Sequence, residues 1–186
     1  MFKAIGSNKY LTLNYKADEF YNYIKDLIEN EMVLRMQNFN HHFNTSCFQH
    51  SLNVAYYNYL ICKRLGLNAK ASARAGLLHD FYLYDKKGIV APKPCKFHWV
   101  KHPKIALQNA IDNFNISKLE GDMIKKHMWP LTLSLPRYRE SFVITLVDKY
   151  CCLLETVSEL STCFKRGLVR FTRNAYFVMV NMVKPL

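Results

Sequence analysis

A chain of 186 residues is long enough for one domain with a real hydrophobic core and too short for two independent ones. Half of its residues are apolar or aromatic, which excludes a disordered chain, and 26 basic against 14 acidic side chains leave a formal charge of +12. That charge attracts nucleotides, nucleic acid or an acidic surface without choosing among them, and the absence of a sustained apolar run leads us to expect a cytoplasmic protein with no membrane segment.

From Asp18 to about Met36, the residues Phe20, Tyr23, Ile24, Leu27, Ile28 and Leu34 recur at helical spacing and predict a single amphipathic opening helix. Asn38 to Thr45 reads as a polar connection, with Thr45 or Ser46 as N-cap of a second helix that runs to about Leu65 and ends at Gly66. Along it Cys47, His50, Val54, Tyr57, Ile61 and Leu65 fall at steps of three or four, which directs His50 inward. Asn68 caps a third helix, Ala69 to Leu78, whose residues Ala71, Ala73, Ala75 and Gly76 permit close packing before it ends in His79-Asp80.

Tyr82 to Trp99, with Gly88, Pro92 and Pro94, is too rich in breakers for a long helix and reads as a loop or lid. Pro103 starts a helix just after His102, and a short helix follows from Ser117 to about Met128. Trp129-Pro130 breaks that helix, and Pro136 opens a final long one with Asp148 near its apolar face. Ser158 to Leu186 is assigned a packing role. Nothing reads clearly as a sheet, so the fold class is all-α. Cys47, Cys62, Cys95, Cys151, Cys152 and Cys163 form no CxxC pair and read as reduced thiols in core positions.

A single histidine on an apolar face is more often a hydrogen-bonded core residue than a ligand, so the case for chemistry rests on a set. His50, His79, Asp80 and Asp148 offer two imidazoles and two carboxylates on or beside helices that share one core. Two carboxylates buried without compensation would each cost several kcal/mol, and a divalent metal supplies that compensation. Taken alone, His102 is a loop residue before Pro103 and His127 a helix-end cation.

The order His50, then His79-Asp80 preceded by Ala73-Arg74-Ala75-Gly76-Leu77-Leu78, then Asp148, resembles the HD superfamily of metal-dependent phosphohydrolases. The similarity extends over Asn38 to Glu155. It is strongest from His42 through Asn44-Thr45-Ser46 to His50-Ser51-Leu52-Asn53-Val54-Ala55, and in Leu77-Leu78-His79-Asp80. The resemblance implies an HD-domain-like helical bundle with the metal site at its centre, formed by residues 38–158, between an N-terminal helical extension (1–37) and a C-terminal extension packed on the core (159–186).

It further implies that His50, His79, Asp80 and Asp148 hold one ion, while His102 and His127 hold a second together with Asp80. Asp80, His102 and His127 would then form the catalytic centre. The chain departs from the fuller form of such sites at Met128, where a second histidine often follows, and at Phe43, where glycine is usual. The ligand set calls for one or two divalent transition metals, iron or manganese ahead of zinc. The implied activity is cleavage of a phosphoester or phosphoanhydride of a nucleotide or small phosphorylated metabolite by metal-activated water.

His42, Arg74, Lys101 and Lys149 are the candidate substrate contacts, and His41 and His98 are read as bystanders. Phe97, Trp99 and Trp129 stand near His102 and His127 in sequence, where they serve core packing or stack a nucleobase. The competing reading is a noncatalytic HD-fold module that binds nucleic acid or an anionic effector, for which the basic stretch Lys165 to Arg173 is the best support. A structural helical protein with no site at all is the third.

Overall fold

Asn30 divides the opening helix that periodicity alone predicts as one. α1 (Glu19–Ile28) stops before it, and the Asn30 side-chain oxygen accepts from the backbone N–H groups of Met32 and Val33. That cap starts α2 (Glu31–Leu34), which tightens into a 3-10 turn over Arg35–Asn38. The computed structural model describes residues 2–3, 10–11, 19–42, 45–84 and 98–182, with side chains over 19–41, 45–84 and 98–160. Most of the Tyr82 to Trp99 loop, with Phe97 and Cys95, therefore lies outside the described residues, as do the side chains of His42 and of the Lys165 to Arg173 stretch.

Two short antiparallel pairs correct the expectation of no strands. β1 (Phe2–Lys3) pairs with β2 (Tyr10–Leu11), and β3 (Asn40–His42) pairs with β4 (Thr45–Ser46) across an irregular register. The second pair replaces the expected polar connection, and the backbone N–H of Cys47 donates to the Phe39 carbonyl at its base. The remaining described elements are helices, and the fold is all-α.

The next two helices start where their caps predict. Ser46 accepts from the Gln49 N–H at 3.1 Å to open α3 (Cys47–Arg64), and Gly66, in the left-handed region at φ +66°, lets the chain turn away. Asn68 accepts from the Ala71 N–H at 3.0 Å to open α4 (Ala69–Leu78). α5 (His98–Asn113) begins earlier than the expected start after His102 and contains Pro103. Its first turn is held by side chains: His102 Nδ1 donates to the His98 carbonyl, and the Tyr84 hydroxyl meets His98 Nδ1, each at 2.9 Å.

A capping box between Ser117 and Glu120 opens α6 (Lys118–Lys126). The final helix, α7 (Arg139–Met182), starts three residues after Pro136 and runs through the region assigned a packing role, with no proline before Pro185 to stop it.

α3 packs most extensively on α4 and also on α7, while α4 meets α1 and α6. The α3–α4 approach depends on Gly76, because a Cβ there would lie 2.5 Å from the Ala55 Cα and 2.8 Å from the Ala55 N. Around this crossing the core collects Phe48, Leu52, Leu77, Leu78, Phe81 and Ile144, all fully buried. Cys47, Cys62 and Cys151 are buried free thiols within the same structure. Among the described residues no helix is long and apolar enough to cross a membrane.

Candidate metal centre

The close contact at Gly76 brings the middle of α3 against the end of α4, which places His50 beside His79-Asp80. α7 crosses the same region with Asp148, and α5 and α6 supply His102 and His127. All six residues are buried, with side-chain exposures of 0% for His50 and His79, 4% for Asp80, 5% for His102, 1% for His127 and 10% for Asp148.

The six converge on Asp80 and Asp148. His50 Nε2 lies 3.1 Å from Asp148 Oδ1 and His79 Nε2 lies 3.6 Å from the same oxygen. His79 Nε2 is also 3.8 Å from Asp80 Oδ2. On the other side of Asp80, Oδ1 is 3.2 Å from His102 Nε2 and 3.8 Å from His127 Nε2. Two sets, His50-His79-Asp80 and Asp80-His102-His127, each bring their donor atoms close enough together to hold an ion. Asp80 belongs to both.

Tautomers follow from the second nitrogen of each ring. His79 Nδ1 donates to the Gly76 carbonyl and His127 Nδ1 to the Ile124 carbonyl, each at 2.8 Å, and His102 Nδ1 donates to the His98 carbonyl. A carbonyl can only accept, so Nδ1 carries the hydrogen in all three and Nε2 is the atom that faces the centre. This is the outer-shell arrangement that orients metal-ligating histidines.

That geometry is unsatisfied within the protein. His102 Nε2 and His127 Nε2 face one another at 2.9 Å, and two lone pairs at that distance repel unless a proton or a metal ion lies between them. His79 Nε2 and Asp80 Oδ1 are buried without an aligned hydrogen-bond partner. A divalent cation in each set would relieve the contact and satisfy both orphaned atoms. The donors are imidazole nitrogen and carboxylate oxygen, which fits transition metals.

The metal-free site keeps its carboxylates ionised. Burial by itself raises the carboxyls of Asp80 and Asp148, yet neighbouring imidazoles override it: His79, His102 and His41 hold Asp80 well below the usual carboxylate range, and His50 and His79 do so for Asp148. Burial, with His79 and His102 beside it, pushes His127 down to about 3, so this ring is neutral and able to donate its lone pair. Burial opposes the charge on His50, but Asp148 and Glu155 prevail and hold it at about 10, so in the metal-free protein this ring is charged and an ion would take the place of the Nε2 proton.

Two residues outside the expected set belong to the site. His41, read from the sequence as a bystander, places Nε2 3.1 Å from Asp80 Oδ2 and stacks on His50 with ring centroids 3.7 Å apart. Glu155 sets both carboxylate oxygens 3.1 Å from His50 Nδ1. Its signal in the sequence is a spacing of seven residues from Asp148, which keeps both on one side of α7.

The expected cationic substrate contacts are placed elsewhere. Arg74 precedes His79 by five residues, roughly 140° around the helix, and it pairs with Asp26 and Glu120 and bonds the Tyr23 carbonyl. There it lines an open polar cleft of about 510 Å³ between α1, α4 and α6 that contains none of the six residues. Lys149 turns its Nζ to the carbonyls of Thr145 and His127, where it caps the end of α6. Lys101 is exposed, Trp99 is 46% exposed, and Trp129 packs edge-on against Phe142.

No family model matches the chain, and neither curated proteins nor solved structures yield a match.

Proposed function

We propose that this protein is a metal-dependent phosphohydrolase with an HD-domain-like bundle, acting on a nucleotide or another small phosphorylated metabolite. The observation that carries the reading is the sharing of Asp80 between two buried ligand sets, with three imidazoles locked by backbone carbonyls into the ligand tautomer. His50, His79, Asp80 and Asp148 would hold one ion, and Asp80, His102 and His127 the other. Iron or manganese suits these donors ahead of zinc. When bound, such ions supply Lewis-acid chemistry, acidifying water and offsetting charge that develops on phosphoryl oxygens.

The chain's own residues prepare that chemistry in three ways. The carbonyls of Gly76, His98 and Ile124 fix the rings, so no reorganisation is needed when the site fills. His41 donates from Nε2 to Asp80 Oδ2 and sets the angle of the shared carboxylate. Asp148 is the most exposed of the six at 10%, which marks its side as the approach for substrate.

The intact set of six argues for an enzyme over a noncatalytic binding module. The test is a phosphate-release screen over nucleotides, dinucleoside polyphosphates and sugar phosphates with added manganese or iron, run beside Asp80→Ala. The expected result is metal-dependent turnover of at least one substrate, abolished in the variant. Turnover that survives both metal removal and Asp80→Ala would overturn the reading.

A further inference from the structure

Three of the central imidazoles are oriented from within their own helices, by carbonyls three or four residues before them. His50 is different. It lies inside α3, and its Nδ1 is held from across the bundle by Glu155 of α7, 105 residues away in sequence. We infer that Glu155 is a positioning residue that turns His50 Nε2 toward the first ion, so that docking of α7 on α3 completes the metal centre. The inference rests on the metal-binding reading above.

Glu155 is 1% exposed, and a buried carboxylate that serves stability alone is a poor choice, since its desolvation costs more than a well-packed neutral group of the same shape. Its oxygens can only accept, so the His50 Nδ1 facing them must carry a hydrogen, and the opposite nitrogen is aimed at Asp148 Oδ1. The carboxylate is itself fixed by two further residues of α3. Asn53 Nδ2 donates to Glu155 Oε1 at 2.9 Å, and Gln49 Nε2 donates to Asn53 Oδ1 at 2.8 Å. The Gln49 bond decides the orientation of the Asn53 amide, leaving its N–H₂ pointed at Glu155. The relay therefore runs Gln49 to Asn53 to Glu155 to His50 and ends on a ligand.

This arrangement separates the affinity of the first ion from that of the second. Glu155→Gln keeps the size and one acceptor oxygen, but it removes the charge that makes His50 a strong ligand and adds a donor facing the ring's N–H. Loss of such an outer-shell partner lowers metal affinity by about 10- to 100-fold. The same change breaks a buried pair, so the metal-free protein should melt below wild type, but it touches no ligand of the Asp80-His102-His127 set. A group with only a packing or stability role would weaken both ions together.

The experiment is calorimetric titration of the metal-free full chain with Mn²⁺ alone, for wild type, Glu155→Gln and Gln49→Ala, beside thermal melts of each metal-free protein. The expected result is a first-ion affinity about 10- to 100-fold weaker in Glu155→Gln with the second-ion affinity unchanged, and a smaller first-ion loss in Gln49→Ala. Wild-type affinity in Glu155→Gln overturns the inference while leaving the metal reading intact. Equal weakening of both ions in Glu155→Gln also overturns it, assigning Glu155 a structural role. A wild-type chain that takes up no Mn²⁺ removes the metal reading and this inference with it.

Discussion

His102 Nε2 and His127 Nε2 face each other at 2.9 Å although the other nitrogen of each ring already donates to a carbonyl of its own helix. Neither ring can rotate away without giving up that bond, so the pair is held in a contact that a cation between them relieves. His127→Ala is expected to lower bound metal from about two ions per chain to about one, because the set built on His50 keeps its ligands. Metal analysis by mass spectrometry on the untagged variant checks this. Unchanged stoichiometry would show that His127 holds no ion.

The α3–α4 crossing predicts a strong effect at a glycine. A methyl group at Gly76 would meet the backbone of Ala55 at 2.5 Å, and backbone cannot step aside as a flexible side chain can. Gly76→Ala should therefore cost about 3 kcal/mol, the upper end of overpacking penalties. Since α3 carries His50 and α4 leads into His79, metal affinity should fall in parallel. Chemical denaturation of the variant measures the first effect, and an unchanged midpoint would show that the crossing can relax.

Asp122 joins the end of α6 to the start of α7. Its carboxylate accepts from the Arg137 N–H at 2.9 Å and the Ser141 hydroxyl at 2.8 Å, and it pairs with Lys126 at 2.6 Å. Burial raises its pKa, but Lys126, the Arg137 N–H and Ser141 together lower it below the ordinary value. A depressed folded pKa stabilises fully above the unfolded value of about 3.9 and is lost as pH falls through the folded one. Asp122→Asn should therefore cost about 2 kcal/mol at neutral pH, with the gap from wild type closing as the pH drops below about 4. Melting temperatures of both proteins across pH 2 to 7 test this (an interval of roughly one unit on either side of the transition suffices), and a gap independent of pH would contradict it.

His41 reaches Asp80 Oδ2 at 3.1 Å and stacks on His50, so His41→Ala is expected to reduce phosphate release by about 10- to 100-fold, the scale of outer-shell losses. Wild-type phosphate release in His41→Ala would show that His41 does not act on Asp80.

Much of this centre is legible in the sequence because helical spacing settles which way a residue faces. His50 shares its face with Cys47 and Val54, so spacing alone directs it inward, and His79-Asp80 ends a helix whose small residues announce a close neighbour; all three lie buried. The same arithmetic removes Arg74 from the centre, since five residues carry a side chain to the far side of the helix. His41 and Glu155 are beyond its reach for a different reason. Their partners lie on other elements, and no local pattern encodes a contact between His50 and a carboxylate 105 residues later. In the fold, Asn30 shows the related limit: apolar periodicity continues through it, while a single side-chain cap ends one helix and begins another.

The central claim is that Asp80 joins two metal-binding sets in one buried site. The most direct measurement is the transition-metal content of the untagged full chain by mass spectrometry, with Asp80→Ala prepared in parallel. Shared ligation predicts about two ions per wild-type chain and loss of both from the variant. A wild-type chain without stoichiometric metal, or a variant that retains the wild-type content, would contradict it.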